Sequence, residues 1–335
     1  MSPAHPQKPL ILFSTLINIQ TDLNPMECVP FERPSNRKGC TLACYKWLPD
    51  GEVRATLQIA HGMTEYVKRY SEMAEILCGL GFAVYGHDHL GHGRTADGDY
   101  GYIDDSNGDQ TLVGDFATVA ETVREENPDV PHFVFGHSMG SFIVRRYITM
   151  YGRGIDGAII MGTGTPPGAG VSLGRTIANM NIRLKGGRSV SKMLNKMVFG
   201  TYDSSFKDSK VKNRWLNRNL EEVKKYNADE ICGFPFTNGG FRDLFTLIRR
   251  CSRKEGIEDI PKDLPLLFLS GDADPVGSFG KGVAKAVRGY TDAGLQPKVI
   301  MYPGARHELI NELCKDQVFR DMQEWLLTQM GTDIQ

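Results

Sequence analysis

The chain has 335 residues, 41% hydrophobic and 24% charged, which is enough apolar material for one large domain and unlike a disordered chain. Its 39 basic and 40 acidic residues leave a formal charge of -1 with the signs interspersed, so no field draws in nucleic acid and a small or neutral ligand is expected. Seven cysteines, at 28, 40, 44, 78, 232, 251 and 314, lack paired metal-ligand spacing and suit reduced thiols in a cytoplasmic protein.

At the N-terminus, LILFSTLI at 10–17 follows Lys8. It is too short to span a bilayer and lacks the charged start and small-x-small cleavage site of a secretory signal. The pattern of a folded domain begins near Met26. Residues 1–25 therefore read as an extension, a misassigned start or a membrane-touching segment.

Beyond it, apolar runs alternate with helical patterns. ATLQIA (55–60), FAVYGHD (82–88), HFVFG (132–136), GAIIMG (157–162), PLLFLS (265–270) and PKVIMY (297–302) read as strands. Between the first two, Met73, Ile76, Leu77 and Leu80 fall on one helical face, with Gly79 and Gly81 as its stop. Leu112, Phe116, Val119 and Val123 repeat the spacing before Pro128, and Phe142, Ile143, Tyr147 and Met150 supply an inner face after the third strand. Continuous apolar strands fed by crossover helices predict an α/β fold with a mostly parallel sheet covered on both faces. From Thr165 to Ile260 no clear β run occurs, and this stretch reads as a cap inserted into a core made of 26–164 and 261–335.

The third strand ends in Gly136-His137-Ser138-Met139-Gly140, a G-x-S-x-G sequence with a strand before it and a helix after it. Such a turn lifts the serine above the sheet and aims the Met139 N–H at whatever the hydroxyl attacks. A serine needs a base, and the base needs an orienting acid. Asp274, in the GDADPV loop after the fifth strand, is chosen over Asp272, and His307 follows the last strand. The HGMT turn after the first strand offers the Met63 N–H as the second oxyanion donor. His87-Asp88-His89-Leu90-Gly91-His92 is dense in ligand-type side chains, but nothing elsewhere completes a metal shell, and it reads as a loop shaping the floor of the site.

Taken together, the elbow, HGMTEYVKRY, DHLGHGRT at 88–95, GDADPVG at 271–277 and RHELINE at 306–312 resemble the α/β-hydrolase superfamily, in particular its monoacylglycerol lipase and bacterial lysophospholipase branch, from about Cys40 to Leu327. The resemblance implies a Ser138–Asp274–His307 triad, an oxyanion hole at Met63 and Met139, and a lid at 165–260 over an acyl pocket. It implies hydrolysis of an acyl ester through an acyl-enzyme, with no metal or organic cofactor and no nucleic-acid partner. In the loop at 88–93 the family commonly has Arg where this chain has His89, which leaves the pocket shape open. A serine aminopeptidase of a related branch and a ligand-binding receptor on the same fold remain the alternatives. Within 165–260, Met180, Met193, Met197, Phe199, Trp215, Phe234, Phe236, Phe241 and Phe245 suggest an apolar underside facing Ser138, with basic residues outside. Transient contact with a membrane or micelle through the cap or the N-terminal segment is also expected.

Overall fold

The computed structural model describes residues 28–208 and 210–331, so the expected N-terminal extension and its apolar run lie outside the described residues. Eight strands form one sheet in the order β1-β2-β4-β3-β5-β6-β7-β8. The six strands read from sequence are β3 Ala55–Ala60, β4 Phe82–His87, β5 His132–His137, β6 Gly157–Met161, β7 Leu266–Gly271 and β8 Lys298–Tyr302, all parallel to one another. Two further strands, β1 Cys28–Pro34 and β2 Thr41–Trp47, pair antiparallel at one edge, β2 lying against β4. β1 carries Pro30 and Pro34, which an edge strand tolerates because its outer N–H groups have no ladder partner.

Alternation along the strands divides the core. Val134 faces a cluster with Phe116, Ile143, Tyr147 and Tyr290, so helices α2 Gly108–Glu126, α3 Met139–Tyr151 and α9 Lys281–Asp292 cover that side. Phe133 and Phe135 face the opposite side with Met73, Leu77, Met322 and Trp325, from α1 Ser71–Cys78 and α10 Lys315–Gln329. The helix expected through Leu80 stops at Cys78, although Leu80 remains buried. Met150, expected on the inner face of α3, falls in the last turn of that helix and is 54% exposed.

Between β6 and β7 the chain runs through α4 Gly168–Lys185, α5 Lys192–Phe199, α6 Leu220–Ala228, α7 Asn238–Cys251 and α8 Lys254–Glu258, with no named strand. In chain order the strands step from β3 outward to β4, then back across to β5 and β6. The carboxyl ends of β3 and β5 therefore flank a topological switch point, where a doubly wound sheet opens a crevice. Ala60 pairs with Gly136, so the loops leaving these two strands emerge side by side. Among the described residues, no helix is long and apolar enough to cross a membrane.

Candidate active site

Ser138 stands between β5 and α3 with φ 53° and ψ -117°, a strained setting for a residue with a side chain. The strain falls on the serine, while the flanking glycines provide clearance. A Cβ on Gly140 would lie 1.9 Å from the Ala60 carbonyl oxygen, and one on Gly136 would lie 2.4 Å from that of Gly140. Only without those carbons can the start of α3 press against the end of β3. Met139 is the first residue of α3, and a first-turn N–H has no acceptor inside its own helix.

Asp274, in the loop after β7, is fully buried. Its Oδ2 lies 2.9 Å from His307 Nδ1, and its Oδ1 accepts from the Val276 N–H at 2.8 Å. Asp272 is exposed and accepts instead from the Gly304 N–H at 2.6 Å. The structure thus joins His307 to Asp274 and keeps Asp272 out of the pair. Burial opposes a charge on His307, but the adjacent Asp274 carboxylate outweighs it and raises the imidazole pKa above its ordinary value. Trp215 packs against the same ring at a centroid separation of 5.2 Å.

Ser138, Met63, Met139 and His307 line one cavity of about 430 Å³ with a largely apolar wall. Leu173, Met197, Phe199, Trp215 and Phe245 contribute from the segment between β6 and β7. The expected apolar underside is thus partly formed. Met180 and Met193 face outward, each 55% exposed, while Phe236 and Phe241 are consumed in the core.

Sequence reading missed a buried acid–base bridge behind these loops. Glu65 Oε1 accepts from the Gly62 N–H and the Tyr70 hydroxyl, both at 2.6 Å, and lies 3.2 Å from His137 Nδ1. Arg69 donates to Glu65 Oε2 and, through both terminal nitrogens, to Glu308 at 2.7 and 3.1 Å. One network therefore ties the turn after β3, the elbow and the loop carrying His307. Burial works against ionising Glu65, but Arg69 and His137 hold its carboxyl well below the usual carboxylate range. Glu65 and Glu308 lay inside the quoted motifs, yet an arginine partner 239 residues from Glu308 leaves no local signal.

The histidine-rich loop packs with His61 as a cluster of fully buried rings, and none of residues 87–92 lines the cavity, so it does not form the floor expected from sequence. His61 Nε2 accepts from the His89 N–H at 3.0 Å, so its proton sits on Nδ1 and goes to the Gly62 carbonyl at 2.8 Å. His89 reaches the His61 carbonyl at 3.2 Å and His87 Nε2 at 3.3 Å. Burial pushes all four imidazoles down, His87 to about 3, His92 to about 4, and His61 and His89 well below the ordinary value. Asp88 accepts from the Val67 and Arg94 N–H groups, each at 2.9 Å, which shapes the loop. Among the described residues, no three His, Cys, Asp or Glu side chains are grouped to hold a metal ion.

The His307 loop is also clasped from across the cavity. The Glu308 N–H donates to the Leu216 carbonyl at 2.7 Å, Arg306 donates to the Arg214 carbonyl at 2.7 Å, and Arg218 pairs with Glu312 at 2.9 Å.

Residues 51–314 match the model of the family described as serine aminopeptidase, S33. The chain is 29% identical to mouse (Mus musculus) monoglyceride lipase over 297 residues, covering 87% of this chain and 88% of that one. It is 28% identical to the monoacylglycerol lipase of Mycolicibacterium smegmatis, covering 85% and 92%. Its fold superposes with a TM-score of 0.85 on a thermostable carboxyl esterase from Bacillus coagulans solved with glycerol, at 28% identity, covering 91% of this chain and 99% of that one.

Proposed function

The chain belongs to the serine hydrolase family described as serine aminopeptidase, S33, and from that premise we propose that it hydrolyses acyl esters of monoacylglycerol or lysophospholipid type through an acyl-enzyme. The observation that carries this reading is the Ser138 elbow and the Asp274–His307 pair opening on a single apolar-walled cavity. In it, His307 takes the Ser138 proton as the hydroxyl attacks the ester carbonyl, while Asp274 holds the proton on Nδ1 and leaves Nε2 to act. The N–H groups of Met63 and Met139 receive the developing oxyanion. The alcohol leaves with the proton from His307, and a water activated by the same ring releases the acid.

Residues 165–260 act as the cap over the acyl chain, bounding a core of 26–164 and 261–335. On its outer side Met180, Leu184 and Met193 are exposed beside Arg183, Lys185, Lys192 and Lys196, a surface suited to resting on a micelle or membrane that carries the substrate. The seven unpaired cysteines support a cytoplasmic setting. The family description names a peptidase, which would need a free carboxylate to receive a substrate N-terminal ammonium. Glu65 and Glu308, beside His307, are instead taken up by Arg69, and this favours the ester. The test is Ser138→Ala assayed on monoacylglycerols. Turnover should fall by several orders of magnitude with the melting temperature held, because triad members act as a unit. A residual rate within tenfold of the parent refutes the assignment.

A further inference from the structure

Thr64 follows Met63 and has φ 59°, a left-handed setting that is an outlier for a β-branched residue. Three hydrogen bonds hold it there, and all three cross from the segment between β6 and β7. The Tyr226 hydroxyl lies 2.8 Å from Thr64 Oγ1 and donates to the Thr64 carbonyl at 3.2 Å, and the Gly233 N–H donates to that carbonyl at 2.9 Å. Burial raises the Tyr226 phenol, so it stays protonated, giving its hydrogen to the carbonyl and accepting from the Thr64 hydroxyl. Tyr66 and Asp229 add a bond of 2.9 Å between the same two segments.

Met63 is therefore strung between two anchors. On one side Glu65, from its own turn, fixes the Gly62 N–H. On the other, Tyr226 and Gly233 fix Thr64. Without the second anchor, Thr64 relaxes toward negative φ and the Met63–Thr64 peptide turns with it. We propose that Tyr226 is a positioning residue that couples seating of residues 220–233 to the oxyanion hole, so that the hole is complete only while this segment is down. The inference rests on Met63 as an oxyanion donor, the reading given above. Hydrolysis is then gated from a side chain that need not touch the reacting atoms: a raised cap admits substrate, and a lowered cap supplies the second N–H.

The test is a double-mutant cycle between Tyr226→Phe and Thr64→Gly, with kcat, KM and the rate of Ser138 labelling by a fluorophosphonate measured for each enzyme. Tyr226→Phe should lower kcat about tenfold, equivalent to about 1.4 kcal/mol, with KM within about twofold and labelling slowed in parallel. Glycine adopts positive φ without help, so in the Thr64→Gly background the same change should cost less than about twofold. The proposal is overturned if Tyr226→Phe leaves kcat within about twofold. It is equally overturned by the same tenfold loss in the glycine background, or by a loss confined to KM, which would make Tyr226 merely a wall of the cavity. Activity surviving Ser138→Ala would remove the site itself, whereas an additive cycle in an enzyme that depends on Ser138 removes the coupling alone.

Discussion

Replacing Glu65 by Gln tests the buried bridge through three readouts whose directions are fixed in advance. The amide oxygen can take the place of Oε1 and keep the Gly62 and Tyr70 bonds, but the amide NH2 then faces the Arg69 guanidinium, donor against donor. Breaking one arm of a buried ion pair costs about 3–5 kcal/mol. Arg69 retains Glu308, so the lower figure applies, about 3 kcal/mol. At about 2 °C per kcal/mol for a large domain, the melting temperature should drop by about 6 °C. Because the folded-state pKa of Glu65 is depressed, this stabilisation is fully present above its unfolded value of about 4.3 and is lost as pH falls below it. The melt is therefore compared at pH 7. The second readout is the acid limb of kcat/KM. Glu65 is one of the negative charges raising the His307 pKa, so the limb should move to lower pH in the variant. Third, kcat should fall, since a neutral acceptor holds the Gly62 N–H less firmly than a carboxylate. A melting temperature within about 1 °C of the parent, together with an unmoved acid limb, would refute the reasoning.

Asp274→Asn should cost far more in kcat than Asp272→Asn, because Asp274 alone of the two pairs with His307; steady-state rates with the reverse ranking would reassign the acid. In the unaltered enzyme, the acid limb of kcat/KM should have its midpoint above about 6.5, because the base must be neutral and its pKa is raised; a pH–rate profile flat between about 5 and 8 contradicts a histidine base. Across acetate, butyrate and octanoate esters of one alcohol, kcat/KM should rise by up to about fourfold per methylene, from about 0.8 kcal/mol for each one buried. A steady decline with chain length would eliminate the lipid-ester reading.

Of the six strands legible in sequence, β3 to β7 are buried along their whole length, while β8 is a mostly exposed edge strand, and all six were recognised by an unbroken apolar run that needs no partner. CVPFERP and TLACYKW escaped because prolines and polar residues break their apolar runs, β1 having no buried residue and β2 being buried at only part of its length. The loops holding Ser138, Asp274 and His307 were marked by position, since each follows a strand at the end where such sheets carry their sites. Pairing across the fold had no such marker. Tyr226 and Thr64 are 162 residues apart, and neither residue type announces the other. The same limit explains the cap, where aromatic and methionine content signalled an apolar interior but could not separate Met197 and Trp215, which face the cavity, from Met193, turned to the outside.

The cluster of buried imidazoles at the ends of β3 and β4 divides the protein's response to acid into two stages. As pH falls through the raised His307 pKa, the base takes up a proton and turnover stops, and it resumes when the proton leaves. Below about 6.5 a second process starts: His61, His87, His89 and His92 would accept protons in the unfolded chain but resist them in the folded one. Each therefore withdraws stability as pH falls below that value, offset in part by Asp115 and Asp243, which burial pushes up to about 6 and about 7 and which therefore bind protons in the folded state first. Mild acidification is thus a pause, and stronger acidification a loss of folded stability. A cell that moved this hydrolase into an acidic organelle would silence it first and lose it afterwards.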